Sequence, residues 1–215
     1  MSTIAEKLTT IAENEQKVYD KGHTDGYAEW ENGLIQSKVY AYFFSVNDKK
    51  TLRKKWKPEY TSNAVDFRGM FDKGLMALKT VPLLDTSNGK QFNNMFSKCQ
   101  RLETIPKLNI TNAISTTGMF TSCNFLKNIE FEGIIQNDLS FSSSPLTVSS
   151  MKNIIQHMIN LYDEGLEGSY TITFKNTCWD ALEASGKPSQ EEWTNVTDET
   201  MTWKVYVTSV LGWSV

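Results

Sequence analysis

FRGMFDKGLMALKTVPLLDTSN (67–88), FNNMFSKCQRLETIPKLNITN (92–112) and STTGMFTSCNFLKNIEFEGII (115–135) read as three copies of one unit. Leu78, Leu102 and Leu126 stand 24 residues apart, and so do Val81, Ile105 and Ile129. Cys99 and Cys123 keep the same step, as do Asn88 and Asn112. The Met-Phe pairs that carry Phe71, Phe96 and Phe120 begin at 70, 95 and 119, with one residue of slack in the first unit. A period of about 20–29 residues with leucines at fixed offsets is the signature of a leucine-rich solenoid. One unit cannot bury its own apolar side chains. Stacking places Leu on Leu, Ile on Ile and Phe on Phe, and so builds one continuous core. Pro82 and Pro106 lack a backbone donor and belong where the short strand of each unit ends. Cys99 and Cys123 then lie inside as small apolar residues, and with no histidine near them they have no zinc spacing.

Outward from the repeats, the chain divides into four zones. Residues 1–34 predict a helical oligomerisation or docking stem, with Ile4, Leu8, Ile11 and Val18 on a heptad-like stripe and Ser2 as a cap. Glu15 and Gly22 interrupt that stripe, so the helix gains stability by packing against copies of itself or a partner, or by lying on its own domain. Residues 35–66 form a junction: a strand-prone aromatic run, 39–44, then the cations Lys49, Lys50, Arg53, Lys54, Lys55 and Lys57. These six are a candidate ligand patch. The competing reading is a solvated loop offset by acidic flanks, and one short cluster in a chain of net charge −3 argues against nucleic acid as a partner.

Residues 67–135 are the repeats and 136–215 a C-terminal α/β cap over the last apolar rung. Within the cap, Met151, Ile154, Ile155, Met158, Leu161 and Tyr162 predict one amphipathic helix face, capped by Thr147 or Ser149. Residues 170–174 alternate like a half-buried strand, 177–182 read as a short helix closed near Gly186, and the tail from Trp203 fits a strand or a helix. Trp179, Trp193, Trp203 and Trp213 are expected to pack this cap. The fold class is therefore α+β: a short leucine-rich-repeat solenoid with a helical stem and an α/β cap.

The 215 residues are 40% hydrophobic and 22% charged, which excludes wholesale disorder. No stretch approaches the roughly 18 uninterrupted apolar residues of a membrane helix, so no membrane insertion is expected. The opening MSTIAEKLTTIAENEQKVYD has polar residues breaking every apolar pair, so a retained N-terminus without a secretory signal is expected. Three cysteines make no disulfide framework. His23 and His157 are the only histidines, and no nucleophile elbow, P-loop or His-Glu-x-x-His pattern occurs. Asp163, Glu164 and Glu167 read as a solvated turn after a helix. The expectation is a protein that is not an enzyme, with no catalytic residue, no metal and no cofactor.

Asp85-Thr86-Ser87-Asn88, Met95-Phe96-Ser97-Lys98-Cys99 with Leu102, and Met119-Phe120-Thr121-Ser122-Cys123 with Leu126 resemble the BspA-type leucine-rich repeats of bacterial surface proteins. The first unit departs from the pattern, with Gly74 near the cysteine position, and the resemblance covers about a third of the chain. The whole layout is similar to a class of small proteins encoded by phages and prophages of gut Firmicutes. It shares their opening, 4–14, a Lys-Gly-x-x-x-Gly-Tyr stretch, 21–27, and the segments Phe141–Leu146, Cys178–Glu183 and Leu211–Trp213. That resemblance implies a phage structural protein made in the host cytoplasm and located in the virion. It also implies docking to other virion proteins through the stem, a homo-oligomer (a trimer by analogy with fibres), and a host-surface receptor for the repeat head. The other class it leaves open is a bacterial cell-surface or secreted adhesin.

Overall fold

The computed structural model describes residues 61–62, 64–71, 79–166, 170–189, 193, 196 and 200–215, all within one compact unit, Phe43–Val215. The stem, 1–34, the cations of 49–57 and Leu78 lie outside the described residues. Described elements are β1 (Thr104–Asn109), β2 (Asn128–Glu132), β3 (Leu139–Phe141), α1 (Val148–His157), β4 (Ile172–Phe174), α2 (Asn176–Ala184) and α3 (Trp203–Val205). A π-helical turn, Tyr206–Val210, continues α3.

The chain returns beside itself every 24 or so residues, and each return pairs in parallel with the one before. Thr104 of β1 lies opposite Asn128 of β2 and Ile105 opposite Ile129; after a register shift, Leu108 meets Phe131. The row begins earlier with the Thr80–Thr104 bridge. A second parallel row runs through Asp66, Gln91 and Ser115. Backbone bonds recur at the same step: Phe71 N donates to Met95 O (2.8 Å) and Phe96 N to Met119 O (2.9 Å). Glu103 N donates to Lys79 O (2.8 Å) and Lys127 N to Glu103 O (3.0 Å) in the other row. Parallel neighbours need a connection of a dozen or more residues, and here the rest of each lap provides it.

Side chains fill the interior in columns. Phe71, Phe96, Phe120, Phe141 and Phe174 stack with ring centroids 5.3, 5.8, 4.6 and 6.0 Å apart. The column runs through Phe141 and Phe174, inside the stretch 136–215 read as the cap. Beside it Cys99 Sγ donates to Phe71 O (3.1 Å) and Cys123 Sγ to Phe96 O (3.2 Å). Ser144 takes the cysteine's place on the next lap, its Oγ donating to Cys123 O (3.1 Å). Leu102, Leu126, Val81, Ile105 and Ile129 are all buried. Tight turns feed these columns. Gly69, Asn94 and Gly118 each precede a Met-Phe pair and each adopt a left-handed backbone, φ 59°, 57° and 69°. Glycine and asparagine are the residues that tolerate it.

The strand row ends where α1 begins. Thr147 caps the helix, accepting from Ser150 N (3.4 Å), and α1 lies along the free edge of β2. Its side chains take the place of a further strand. Ile129 N donates to Ser150 Oγ (3.0 Å), Phe131 N donates to Asn153 Oδ1 (2.7 Å), and Asn153 Nδ2 returns to Phe131 O (3.4 Å). An exposed row of unpaired strand groups is a template for aggregation, and a polar helix face that satisfies it removes the template.

Two expectations for the cap are corrected. The helix ends at His157, so Met158, Leu161 and Tyr162, placed with the apolar helix face, lie beyond it; Met158 and Leu161 are still buried, whereas Tyr162 is 64% exposed. The strand of 170–174 is shorter, Ile172–Phe174, with Thr171 bridged to Ser214; its partner β3 has no counterpart in the sequence reading. The tail takes the helical alternative. Glu183 of α2 caps it, its two oxygens accepting from Trp203 N and Lys204 N, both at 3.0 Å. Trp179, Trp193, Trp203 and Trp213 are buried.

Candidate functional site

Residues read as the repeat ladder all point inward where the structure describes them. Phe71, Phe96, Phe120, Cys99, Cys123, Leu102, Leu126, Val81, Ile105 and Ile129 are buried, so none of these side chains is available to a ligand. The stacking of successive laps brings them together and leaves the outward strand face as the candidate surface.

That face is a polar grid. Lys79, Glu103 and Lys127 form one column across three laps, and Thr80, Thr104 and Asn128 the next. Lys79 Nζ lies 2.9 Å from Glu103 Oε1 and Lys107 Nζ lies 3.3 Å from Glu132 Oε2, all four side chains being well exposed. Exposed pairs of this kind contribute little to stability because water and salt screen them. Their effect is on the field: positive and negative groups alternate along the column Lys79, Glu103, Lys127. Adjacent rungs repeat at about 4.8 Å, which sets the grid's spacing. Leu83, Ile114, Phe125 and Ile134 are exposed apolar side chains of the same laps.

The ionisable groups report the same geometry. The hydrogen bond and charge of Lys79, with a smaller contribution from Lys127, hold the Glu103 carboxyl below its ordinary value of 4.5. A lowered folded-state value means the pair's contribution is present above the ordinary glutamate range and is lost as pH falls through the folded value. Lys79→Gln should therefore move the Glu103 titration upward in a carboxyl-detected NMR experiment and shrink the acid-side loss of stability. An unchanged titration would show that the pair does not form in solution.

Burial pushes the Cys123 thiol up to about 12, although the neighbouring Cys99 backbone favours the thiolate. The thiolate is the reactive form, so Cys123 is inert in the folded protein. Folded protein at mildly alkaline pH should leave Cys123 unmodified by iodoacetamide, with full labelling in urea. Rapid labelling of the folded chain, located by peptide mapping, would contradict this buried placement.

Groups that drew attention as possible chemistry have structural partners. His157 Nδ1 lies 2.8 Å from Asn153 O, one turn back on its own helix. Asp163 Oδ2 accepts from Asn160 Nδ2 (2.8 Å) in an exposed turn; Glu167 and His23 lie outside the described residues. Among the described residues no group of three or more His, Cys, Asp or Glu side chains is placed to hold a metal, and no helix is long and apolar enough to cross a membrane. Sequence reading missed Ser150 and Asn153, whose polar side chains on the inner face of α1 close the β2 edge. It also missed what the asparagine column does. Asn88 Nδ2 donates to Ser62 O (2.7 Å), Asn112 Nδ2 to Ser87 O (2.8 Å) and Asn137 Nδ2 to Ala113 O (2.9 Å). The 24-residue step from Asn88 to Asn112 was the available signal.

No protein-family model, curated protein or solved structure matches this chain.

Proposed function

We propose that the chain is a non-enzymatic virion structural protein of a phage: a tail, baseplate or head-fibre component built as a short leucine-rich-repeat solenoid with an N-terminal stem and an α/β cap. Its repeat head presents a rigid surface for host attachment. The observation that carries the reading is the recurring lap, in which five phenylalanines form one column and the cysteine Sγ and asparagine Nδ2 groups act as lap-to-lap fasteners. Side chains that elsewhere serve as nucleophiles or ligands are here committed to holding the stack. The outward grid of Lys79, Glu103, Thr104, Lys127 and Asn128 is left to meet a partner.

In this reading the stem docks to other virion proteins through Ile4, Leu8, Ile11 and Val18 and assembles the chain as a homo-oligomer, a trimer in the fibre analogy. Several copies held together raise weak single-site binding about 10²–10⁴-fold where the geometry permits. Gradient-purified particles should contain the protein at stoichiometric copy number, and its absence from them would refute the proposal. The repeat resemblance to surface proteins favours a second reading, an adhesin on the bacterial surface. Protease treatment of intact cells distinguishes the two, because only an adhesin is then cleaved.

A further inference from the structure

We propose that Asn88–Gly89 is a site of spontaneous deamidation, gated by the asparagine clasp between the first two described laps, and that conversion there releases the clasp irreversibly. Three asparagines form the clasp column, and each is followed by a different residue: Gly89 after Asn88, Ala113 after Asn112, Asp138 after Asn137. Only the first has a neighbour without a side chain to hinder attack by its own nitrogen. Packing dictates that glycine. Gly89 is buried, and a Cβ there would overlap the ring of Phe92, which stacks on Phe67 at 5.2 Å with planes 1° apart. The reactive pair is thus a consequence of the core.

In the reaction the Gly89 nitrogen bonds to Asn88 Cγ, the Cγ–Nδ2 bond breaks, and ammonia leaves with the proton from the Gly89 nitrogen. Water then opens the succinimide, at Cγ to give aspartate or at the main-chain carbonyl to give isoaspartate. Closed, the fold holds both reacting groups elsewhere: Asn88 Nδ2 donates to Ser62 O (2.7 Å), and Gly89 N donates to Thr86 O (2.9 Å). Ring closure therefore requires the turn to open first. Afterwards an acceptor carboxylate faces the acceptor carbonyl of Ser62, so the clasp cannot re-form. The bond from Asp85 N to Thr61 Oγ1 (2.9 Å) remains beside it.

The full chain, aged in mildly alkaline buffer, should gain one mass unit at Asn88, with both aspartate and isoaspartate in the peptide map. Asn112 and Asn137 should stay intact over the same period. Conversion at Asn88 should be at least about tenfold slower than in urea, because local opening is required. No conversion in the folded chain, or a folded rate equal to that in urea, overturns the proposal. Asn88→Asp, which imitates the product, should lower the melting temperature by about 2–4 °C. Asn88→Ala, which removes the clasp without a charge, should lower it less. Wild-type melting of Asn88→Asp would overturn the release.

Discussion

Phe120→Ala should lower the free energy of unfolding by about 3–5 kcal/mol, measured by urea titration of the full chain. Phe120 is the middle ring of the column, with Phe96 at 5.8 Å on one side and Phe141 at 4.6 Å on the other, and it is 2% exposed. Truncation removes the transfer energy of the ring and leaves a cavity that neighbouring laps cannot fill, since backbone pairs on both sides fix the spacing. Phe125→Ala, five residues away and 55% exposed, is the control and should stay within about 0.5 kcal/mol of wild type. A loss below about 1 kcal/mol for Phe120→Ala would mean that the rings do not bear on one another as the column requires.

The second large effect is expected at Asn153. Asn153→Leu fills similar space but removes both hydrogen bonds to Phe131, leaving a strand N–H and carbonyl at the β2 edge without their partners. Each partly buried group left unsatisfied costs about 1–3 kcal/mol. The variant should therefore lose about 2–4 kcal/mol, near the low end of the summed pair because water reaches part of the edge. It should also self-associate, because the uncovered edge offers a template to another chain. Light scattering during a thermal ramp would detect this at lower temperature than in wild type. Asn153→Asp, which keeps the acceptor for Phe131 N but not the donor, should lie between. A Leu variant as stable and as monodisperse as wild type would show that α1 does not guard the strand.

Phe71, Phe96 and Phe120 recur with so little variation in spacing that their shared interior column was legible in the sequence, and Val81, Ile105 and Ile129 likewise. Beyond residue 135 the same logic hides. The column continues through Phe141 and Phe174, but the intervals become 21 and then 33 residues because α1 is inserted between the last two rungs. Stacking fixes where a ring comes to rest, not how many residues the chain uses on the way, so a search for a constant step stops too soon. Leu139 and Phe141 are buried on either side of exposed Ser140, a strand alternation that three residues are too few to announce. Ser150 and Asn153 were unreadable for a different reason. Polar residues on a helix normally face water, and nothing local distinguishes two that face a strand edge instead. The outward grid was implicit once Leu102 and Leu126 were assigned inside, whereas its ion pairs depend on which lysine falls beside which glutamate one lap away.

The rings of the column do not stay parallel. Planes differ by 4° between Phe71 and Phe96 and by 5° between Phe96 and Phe120, then by 21° and 32° at the following steps, and Phe174 meets Trp179 edge-on at 62°. A face turned that far from its neighbour offers no flat surface for another ring to copy. Lengthening by duplication is therefore open only upstream of Phe120, where one lap still serves as a mould for the next, and descendants of this gene that gained or lost a unit should carry the change there.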